Sequence, residues 1–476
     1  MRKSPKLPIG VLGLASLLVL AGCKVGPKYA RPQVPAPPAF RGADDAAVAT
    51  DAKDSIGDQQ WSQVFKEPEL QALITKALQN NYDVRIAAQR VLEQQAQVKI
   101  TRAQQFPTIS AGGSGIGAYA PGLSSLTGGD SNSNDGSISV GSFNLSAAWT
   151  PDFWGLYRRQ TEAARDTLLA QEWARKAVRL TLVQQVATTY FTLRALDSQL
   201  AIAEQTVKSR QDSVDLTRRL ADGGSVPLSD LRQAEQLLYT ATSQIPQLKQ
   251  QIQQNENALQ LLLGETPGSV AHTDPNALLP PPANLPVGVP SQLLERRPDV
   301  QQSEAQLMAA NANIGVARAQ FFPQLSISAS GGVGGDNFPD MFKSGAETVY
   351  GIGSLAQPLF AGGKLRGQLQ IAQETKKELV LNYQKTILTA FRDVSNALIA
   401  ADKQRAYREQ QEKLVVAAQD ATRLARIRYQ GGATAYLEVL TTDTNLFQAQ
   451  LNLALAQQNE ALSLVQLYAA LGGGWQ

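Results

Sequence analysis

The feature that most constrains this chain is an internal duplication. Asn81-Tyr82-Asp83-Val84, followed by Ala103-Gln104-Gln105-Phe106-Pro107, returns as Arg297-Pro298-Asp299-Val300 followed by Ala319-Gln320-Phe321-Phe322-Pro323, an offset of 216 from Asp83 to Asp299. Gly223-Gly224 with Asp230-Leu231 returns as Gly431-Gly432 with Glu438-Val439, and Leu263-Gly264 returns as Leu471-Gly472, now at an offset of 208. A repeated unit restricts architecture more than local propensity does, because both copies must reach the same fold. The drift of eight residues falls mainly in Gly/Ser-rich stretches, where loops absorb it. Each copy runs helix, Gly/Ser-rich stretch of low charge, very long helix, Gly-containing turn, long helix. The first repeat occupies 61–264 and the second 291–476. Between them, 265–290 is a Pro-rich connector holding the single His272, read as an ordinary surface residue.

The helices declare themselves by period. Val380, Tyr383, Ile387, Phe391, Val394, Leu398 and Ala401 recur at three-or-four spacing, and so do Tyr436, Val439, Leu446, Ala449, Leu453, Ala456, Leu464, Tyr468 and Leu471, once Asp443 and Glu460 are accepted as polar interruptions. Long helices are expected at about 156–222 and 229–262, and again at about 364–430 and 436–470. Arg158 to Asp222 contains neither Pro nor Gly. A helix of that length, at ~1.5 Å per residue, measures about 100 Å, some three times a bilayer's hydrocarbon thickness, so these helices do not span a membrane.

Strands carry a different period. Phe143, Leu145, Ala147 and Trp149 alternate with Ser142, Asn144, Ser146 and Ala148, while Leu325, Ile327 and Ala329 alternate with Gln324, Ser326, Ser328 and Ser330. Weaker candidates lie near Thr108–Tyr119 and Thr348–Pro358, which places strands within about 106–150 and 321–360. Apolar side chains alternating with small polar ones suit a membrane barrel with lipid outside and an aqueous lumen within. Tyr119, Trp149, Phe153, Trp154, Phe322, Tyr350 and Phe360 sit at segment ends, where an interfacial girdle belongs; core packing beside a soluble sheet is the alternative. Backbone groups in hydrocarbon must all be paired, so four strands cannot stand alone. Two chains give eight strands, a size filled by its own side chains, whereas three give 12 with room for a conduit. A homotrimer is the expectation.

The N-terminus reads as an address. Arg2, Lys3 and Lys6 precede an apolar stretch from Leu7 to Leu20, as in a secretory signal over 1–22. Leu20-Ala21-Gly22-Cys23 then looks like a bacterial lipobox, with the only cysteine of the chain at the position lipidation needs. Two or more acyl chains, at about 0.8 kcal/mol per buried methylene, hold a protein on a bilayer where one does not. Residues 23–60, with Pro27, Pro32, Pro35, Pro37 and Pro38, are expected to form a lipidated, extended and poorly packed tether.

Composition removes several chemistries. One Cys and one His cannot build a Cys/His zinc site, and one Cys cannot form an intrachain disulfide. The 44 Lys+Arg against 41 Asp+Glu become 41 against 41 once Arg2, Lys3 and Lys6 are set aside, so no net charge favours nucleic acid. No nucleophile motif or phosphate-cradling Gly loop with its Lys is present, and the chain is not expected to be an enzyme or to need a metal or cofactor beyond the lipid on Cys23.

Together these segments resemble the outer-membrane efflux factors of the TolC type, especially their lipidated OprM-like branch. The resemblance is carried by Cys23 with Gly26-Pro27-x-Tyr29-x-x-Pro32, the duplicated Phe-Pro, Gln357-Pro358-Leu359-Phe360-Ala361-Gly362-Gly363, and Arg428-Tyr429-Gln430-Gly431-Gly432 followed by Tyr436-Leu437-Glu438-Val439-Leu440. It implies a mixed α and transmembrane β fold: a duplicated unit whose trimer forms a 12-stranded outer-membrane barrel continuous with a long periplasmic helical barrel. It also implies N-palmitoyl and S-diacylglycerol groups on Cys23, delivery to the outer membrane after Lys24, and passive conduction for a periplasmic membrane-fusion adaptor and an inner-membrane RND-type transporter.

The resemblance further implies that the turns at 223–230 and 431–438 form the periplasmic tip. Gly223, Gly224, Gly431 and Gly432 become candidate adaptor contacts. Asp230 and Glu438 become candidate gate carboxylates, although first-turn helix acids complementing the macrodipole are an equal reading. Thr441 stands where a second acidic ring is expected, making Asp443 the candidate replacement. Arg428 and Tyr429 are candidate latches to neighbouring helices. The rival to a channel is a lipid-anchored periplasmic coiled-coil adaptor or scaffold without a pore, which has no need of amphipathic strands.

Overall fold

The computed structural model of the chain describes residues 24–42, 55–119, 137–270, 290–335 and 338–475. The signal segment, Cys23 and His272 lie outside these residues. In chain order the elements are α1 (Trp61–Val64), α2 (Pro68–Asn80), α3 (Tyr82–Ala103), β1 (Thr108–Tyr119), β2 (Ser137–Trp149), α4 (Leu156–Asp222), α5 (Leu228–Leu262), α6 (Pro290–Arg296), α7 (Pro298–Ala319), β3 (Gln324–Gly335), β4 (Glu347–Ala356), α8 (Lys364–Gln430) and α9 (Tyr436–Ala470).

The duplication is exact in length where the chain is regular. The pairs α3/α7, α4/α8 and α5/α9 have 22, 67 and 35 residues per member, and β1 and β3 have 12 each. From α3 to β1 the counterparts are 216 apart, and from Leu156 and Lys364 onward they are 208 apart. The drift of eight residues therefore sits inside the two β-hairpins.

The described residues fall into two compact units. One comprises Leu92–Leu169 and Glu304–Leu381 with the N-terminal segment to Pro32. Its sheet is an antiparallel meander, β1-β2-β3-β4, so both weaker strand candidates are strands. The last strand ends at Ala356, short of Pro358, whose ring leaves no N–H for a ladder. The registers Ser110↔Ser146, Ser146↔Ser330 and Ser326↔Ser354 put hydroxyls on one face. There Ser110–Ser146, Ser114–Ser142 and Ser326–Ser354 are hydrogen-bonded at 2.7–2.8 Å. Ile109, Leu145, Ile327 and Leu355 share the other face, all of them exposed. Polar on one side and apolar on the other is the requirement of a barrel wall in lipid.

The aromatics divide. Trp154 stacks on Phe322 with centroids 4.8 Å apart and donates Nε1–H to the Pro323 carbonyl at 2.7 Å, and the Trp149 indole donates to the Gln105 carbonyl at 3.1 Å. These are amphipathic rings with a satisfied polar edge, as an interface favours. Tyr350 departs from the girdle expectation, because its register opposite Ser330 places it on the hydroxyl face. The side chain of Tyr119 lies outside the described residues.

The expectation of a poorly packed tether is corrected over residues 24–42. Its prolines keep the backbone extended, yet its polar groups are taken up by helices. Arg159 Nε donates to the Val25 carbonyl at 2.9 Å, Asn311 to the Pro27 carbonyl at 3.1 Å, and Tyr29 and Arg31 both reach Glu304. Gly26, at φ +115°, packs on Gly315 so closely that a Cβ would lie 2.6 Å from its Cα.

The second unit comprises Gln33–Val91, Ala170–Ser303 and Asn382–Gln476. The extended segment continues here, with Phe40 buried against Phe391. Its interior is made by Leu70, Ile74, Leu259, Leu293, Tyr383, Ile387, Leu467 and Leu471, all nearly inaccessible. Both polar interruptions of the α9 stripe are inside: Glu460 takes Arg408 Nε at 2.6 Å, and Asp443 is discussed below. Among the described residues no helix is long and apolar enough to cross a membrane.

Candidate functional site

The two Gly-Gly turns close the helical hairpins of the second unit in the same way. At the end of α4, Ser225 N–H donates to the Leu220 carbonyl at 2.8 Å and Gly224 N–H to that of Ala221 at 3.0 Å. At the end of α8, Ala433 donates to Arg428 at 2.8 Å and Gly432 to Tyr429 at 2.9 Å. Each is a Schellman cap, and its left-handed position is filled by Gly224 at φ +70° and Gly432 at φ +72°. Gly223 and Gly431 are exposed at the turns but do not carry that conformation.

The following helices start at backbone positions Pro227 and Ala435 with no side-chain cap. Asp230 and Glu438 stand in their first turns, where the helix dipole favours a carboxylate. Beyond this their environments differ. Arg428 Nη1 donates to Glu438 Oε1 at 2.8 Å, and Thr434 Oγ1 donates to Glu438 Oε2. The counterparts of Arg428 and Thr434 in the first hairpin are Leu220 and Val226, so Asp230 lacks this pair of contacts and is bonded by its neighbour Ser229 at 3.4 Å. Arg428 at the end of α8 thus joins Glu438 in the first turn of α9 across the turn.

Tyr429 is different. Its ring packs edge-on against Tyr436 at 5.2 Å and joins a core of Val214, Leu231, Ala234, Leu238, Ala425 and Val439, drawn from both hairpins. Burial, with the Asp230 charge second, pushes its phenol above the usual range. Leu216, Leu220, Val226, Asp230, Tyr429 and Leu437 line a groove of about 780 Å³ between the two turns.

Asp443 is not an open ring carboxylate, and that expectation is corrected. It is 7% exposed. Arg210 Nε donates to its Oδ2 at 2.8 Å, and Arg426 Nη2 donates to its Oδ1 at 2.6 Å. Arg210 also donates to the Leu237 carbonyl at 2.7 Å and lies over the Phe447 ring, while Arg426 reaches Ser209 Oγ at 3.0 Å. One carboxylate therefore fastens α4, α5, α8 and α9 together. Burial and then this carboxylate push the adjacent Tyr436 phenol up to about 12. Arg210 and Arg426 are missed by sequence reasoning. The available signal is the apolar stripe that Asp443 breaks, together with the duplication: Arg218 and Glu235, their counterparts for Arg426 and Asp443, also pair, at 3.4 Å.

Comparison with known proteins agrees with this architecture. The family described as "Outer membrane efflux protein" matches twice, over residues 73–265 and 289–473, one match per repeat. The toluene efflux pump outer membrane protein TtgC of Pseudomonas putida is 36% identical over 98% of this chain and 96% of its own length. The cation efflux system protein CusC of Escherichia coli O6:H1 is 34% identical over 98% and 99%. The crystal structure of the open state of the Neisseria gonorrhoeae MtrE outer membrane channel superposes with a TM-score of 0.83 at 28% identity, covering 95% of this chain and 99% of that one.

Proposed function

The chain belongs to the outer membrane efflux protein family, and we propose that it is the passive exit duct of a tripartite pump, a homotrimer in which three four-stranded sheets close one outer-membrane barrel. The observation that carries this reading is the sheet itself. One face carries the paired hydroxyls together with Ile116, Val140, Tyr350 and Ile352, the other carries exposed Ile109, Leu145, Ile327 and Leu355, and the two edges, β1 and β4, pair with no strand among the described residues. Neither a soluble domain nor a scaffold explains such a sheet, whereas a third of a barrel does.

In this reading the hairpin turns form the periplasmic entrance. Gly223, Gly224, Gly431 and Gly432 meet a periplasmic adaptor, and an inner-membrane RND-type transporter supplies cargo through it. Asp230 and Glu438 set the charge of the mouth. Tyr429 and the Asp443 clamp hold the two hairpins together while it is shut. Cys23 carries the acyl chains that fix the protein to the outer membrane, and no chemical step on the cargo is involved. Relatives named for toluene and for cation efflux align with this chain over nearly their whole lengths, which supports assigning cargo selection to the transporter.

The test is reconstitution of the lipidated protein in planar bilayers, with deletion of its gene scored on a dye-retention and antibiotic panel. Channel events and increased retention are expected. Silent bilayers together with unchanged susceptibility overturn the reading.

A further inference from the structure

The two repeats diverge in chemistry on α4. Arg175 and Arg179 occupy the positions that Tyr383 and Ile387 hold on α8, 208 residues further on, where both side chains are core at 1% exposure. On α4 the two arginines are half-buried and pair with no carboxylate among the described residues. Lys176 stands between them, and the acid that acts on it is Glu172. Like charges four residues apart destabilise a helix, so this substitution of bases for core residues has no structural gain of its own.

The C-terminal segment adds aromatic surface to the same place. Gly473 passes Tyr468 so closely that a Cβ would lie 2.3 Å from its ring, and Gly474 takes φ +100° beside Val183. Trp475 is thereby set edge-on to Trp173, with centroids 5.7 Å apart. Lys176 Nζ lies 3.7 Å from the Trp173 centroid and 4.3 Å from that of Trp475. Both indoles are half-buried, and Trp475 Nε1–H is enclosed with no acceptor among the described residues. An unmade donor beside unpaired cations is costly, and a ligand that brings acceptors and negative charge offsets the cost.

We propose that Trp173, Arg175, Lys176, Arg179 and Trp475 form a docking surface for the cell-wall glycan of the periplasm, a carboxylate-bearing polymer of N-acetylated sugars. Guanidinium forks take carboxylates two hydrogen bonds at a time, and an indole offers a flat apolar face to the C–H side of a sugar ring with a polar edge beside it. Anionic lipid shares the charge but not the place. Arg175 stands 19 residues past Leu156, where α4 begins, which is about 28 Å of helix and several times the depth of a bilayer's headgroup layer.

This inference rests on the reading that places the helices in the periplasm, and the experiment separates the two. Purified full-length protein is titrated with sacculi, sedimented, and the bound fraction measured. Wild-type protein is expected to sediment saturably and less at high salt. Arg175→Gln with Arg179→Gln is expected to weaken binding by about tenfold or more, the loss of charge-assisted hydrogen bonds, at an unchanged melting temperature. Arg175→Lys with Arg179→Lys, which keeps the charge and loses the fork, is expected to fall between the two. Sacculi whose carboxyls have been amidated, and chitin, are expected to bind wild-type protein no better than native sacculi bind the glutamine variant. Wild-type protein left in the supernatant, or equal sedimentation of wild type and the glutamine variant, overturns the proposal. So does arginine-dependent binding to vesicles of phosphatidylglycerol and phosphatidylcholine in equal parts without binding to sacculi. Protein that conducts in bilayers yet ignores sacculi loses this inference alone, whereas protein that binds sacculi yet never conducts loses the duct.

Discussion

Arg210 and Asp443 lie 233 positions apart in sequence and 2.8 Å apart in space, side by side in the interior of the helical unit. The pair ties the first repeat's long hairpin to the second repeat's. Removing one partner of a buried ion pair leaves the other charge uncompensated. Asp443→Asn is expected to cost about 3 kcal/mol, the low end for a buried pair because Arg426 keeps some contact with water. It is also expected to loosen the hairpins and raise leak of large hydrophilic antibiotics. Thermal melting and a susceptibility panel check the two effects; wild-type leak in a destabilised variant removes the clamp from the gate.

The charge at the mouth is separable from that clamp. Arg428–Glu438 is an exposed pair, so Arg428→Ala should change stability by less than about 1 kcal/mol. Asp230→Ala combined with Glu438→Ala should raise closed-state conductance and weaken block by divalent cations added on the periplasmic side. Unchanged conductance and block reduce both carboxylates to helix-dipole partners.

The turns make a contrast between adjacent glycines. Gly224→Ala and Gly432→Ala force a Cβ into the left-handed region and should each cost about 1–2 kcal/mol. Gly223→Ala and Gly431→Ala, whose added Cβ meets nothing nearer than 3.4 Å, should be close to neutral in melting temperature.

Asp166 supplies a pH dependence. Burial first, and Glu162 second, raise its carboxyl to about 6 from an ordinary value of 3.8, against a weaker pull from Lys24. The folded state therefore binds this proton more tightly than the unfolded state. Its contribution favours folding at low pH and is lost as pH rises from about 4 to about 6. Asp166→Asn should raise the melting temperature at pH 7.5 relative to wild type, and the advantage should vanish near pH 4. A constant difference across that range contradicts this assignment.

Much of the fold is legible in the sequence because long helices and two-sided strands impose periods, and a duplication shows each period twice. The Gly-Gly turns are legible for a related reason: a Schellman cap needs a left-handed residue, and glycine adopts it without steric cost. The position of Asp443 is not legible. An acid in an apolar stripe becomes an interior clamp only if arginines from distant helices arrive beside it, and Arg210 stands on a helix whose rotation is set by tertiary packing. The segment 24–42 hides its contacts too. An extended chain has no helical period, and what it offers Arg159 and Asn311 are backbone carbonyls, which every residue possesses.

The most direct test of the central claim is single-channel recording on lipidated protein whose subunit number has been fixed by native mass spectrometry. The account predicts trimers that are mostly closed in the wild type and open far more often in Asp443→Asn. Current carried by isolated monomers, or trimers that stay silent in both forms, contradicts it.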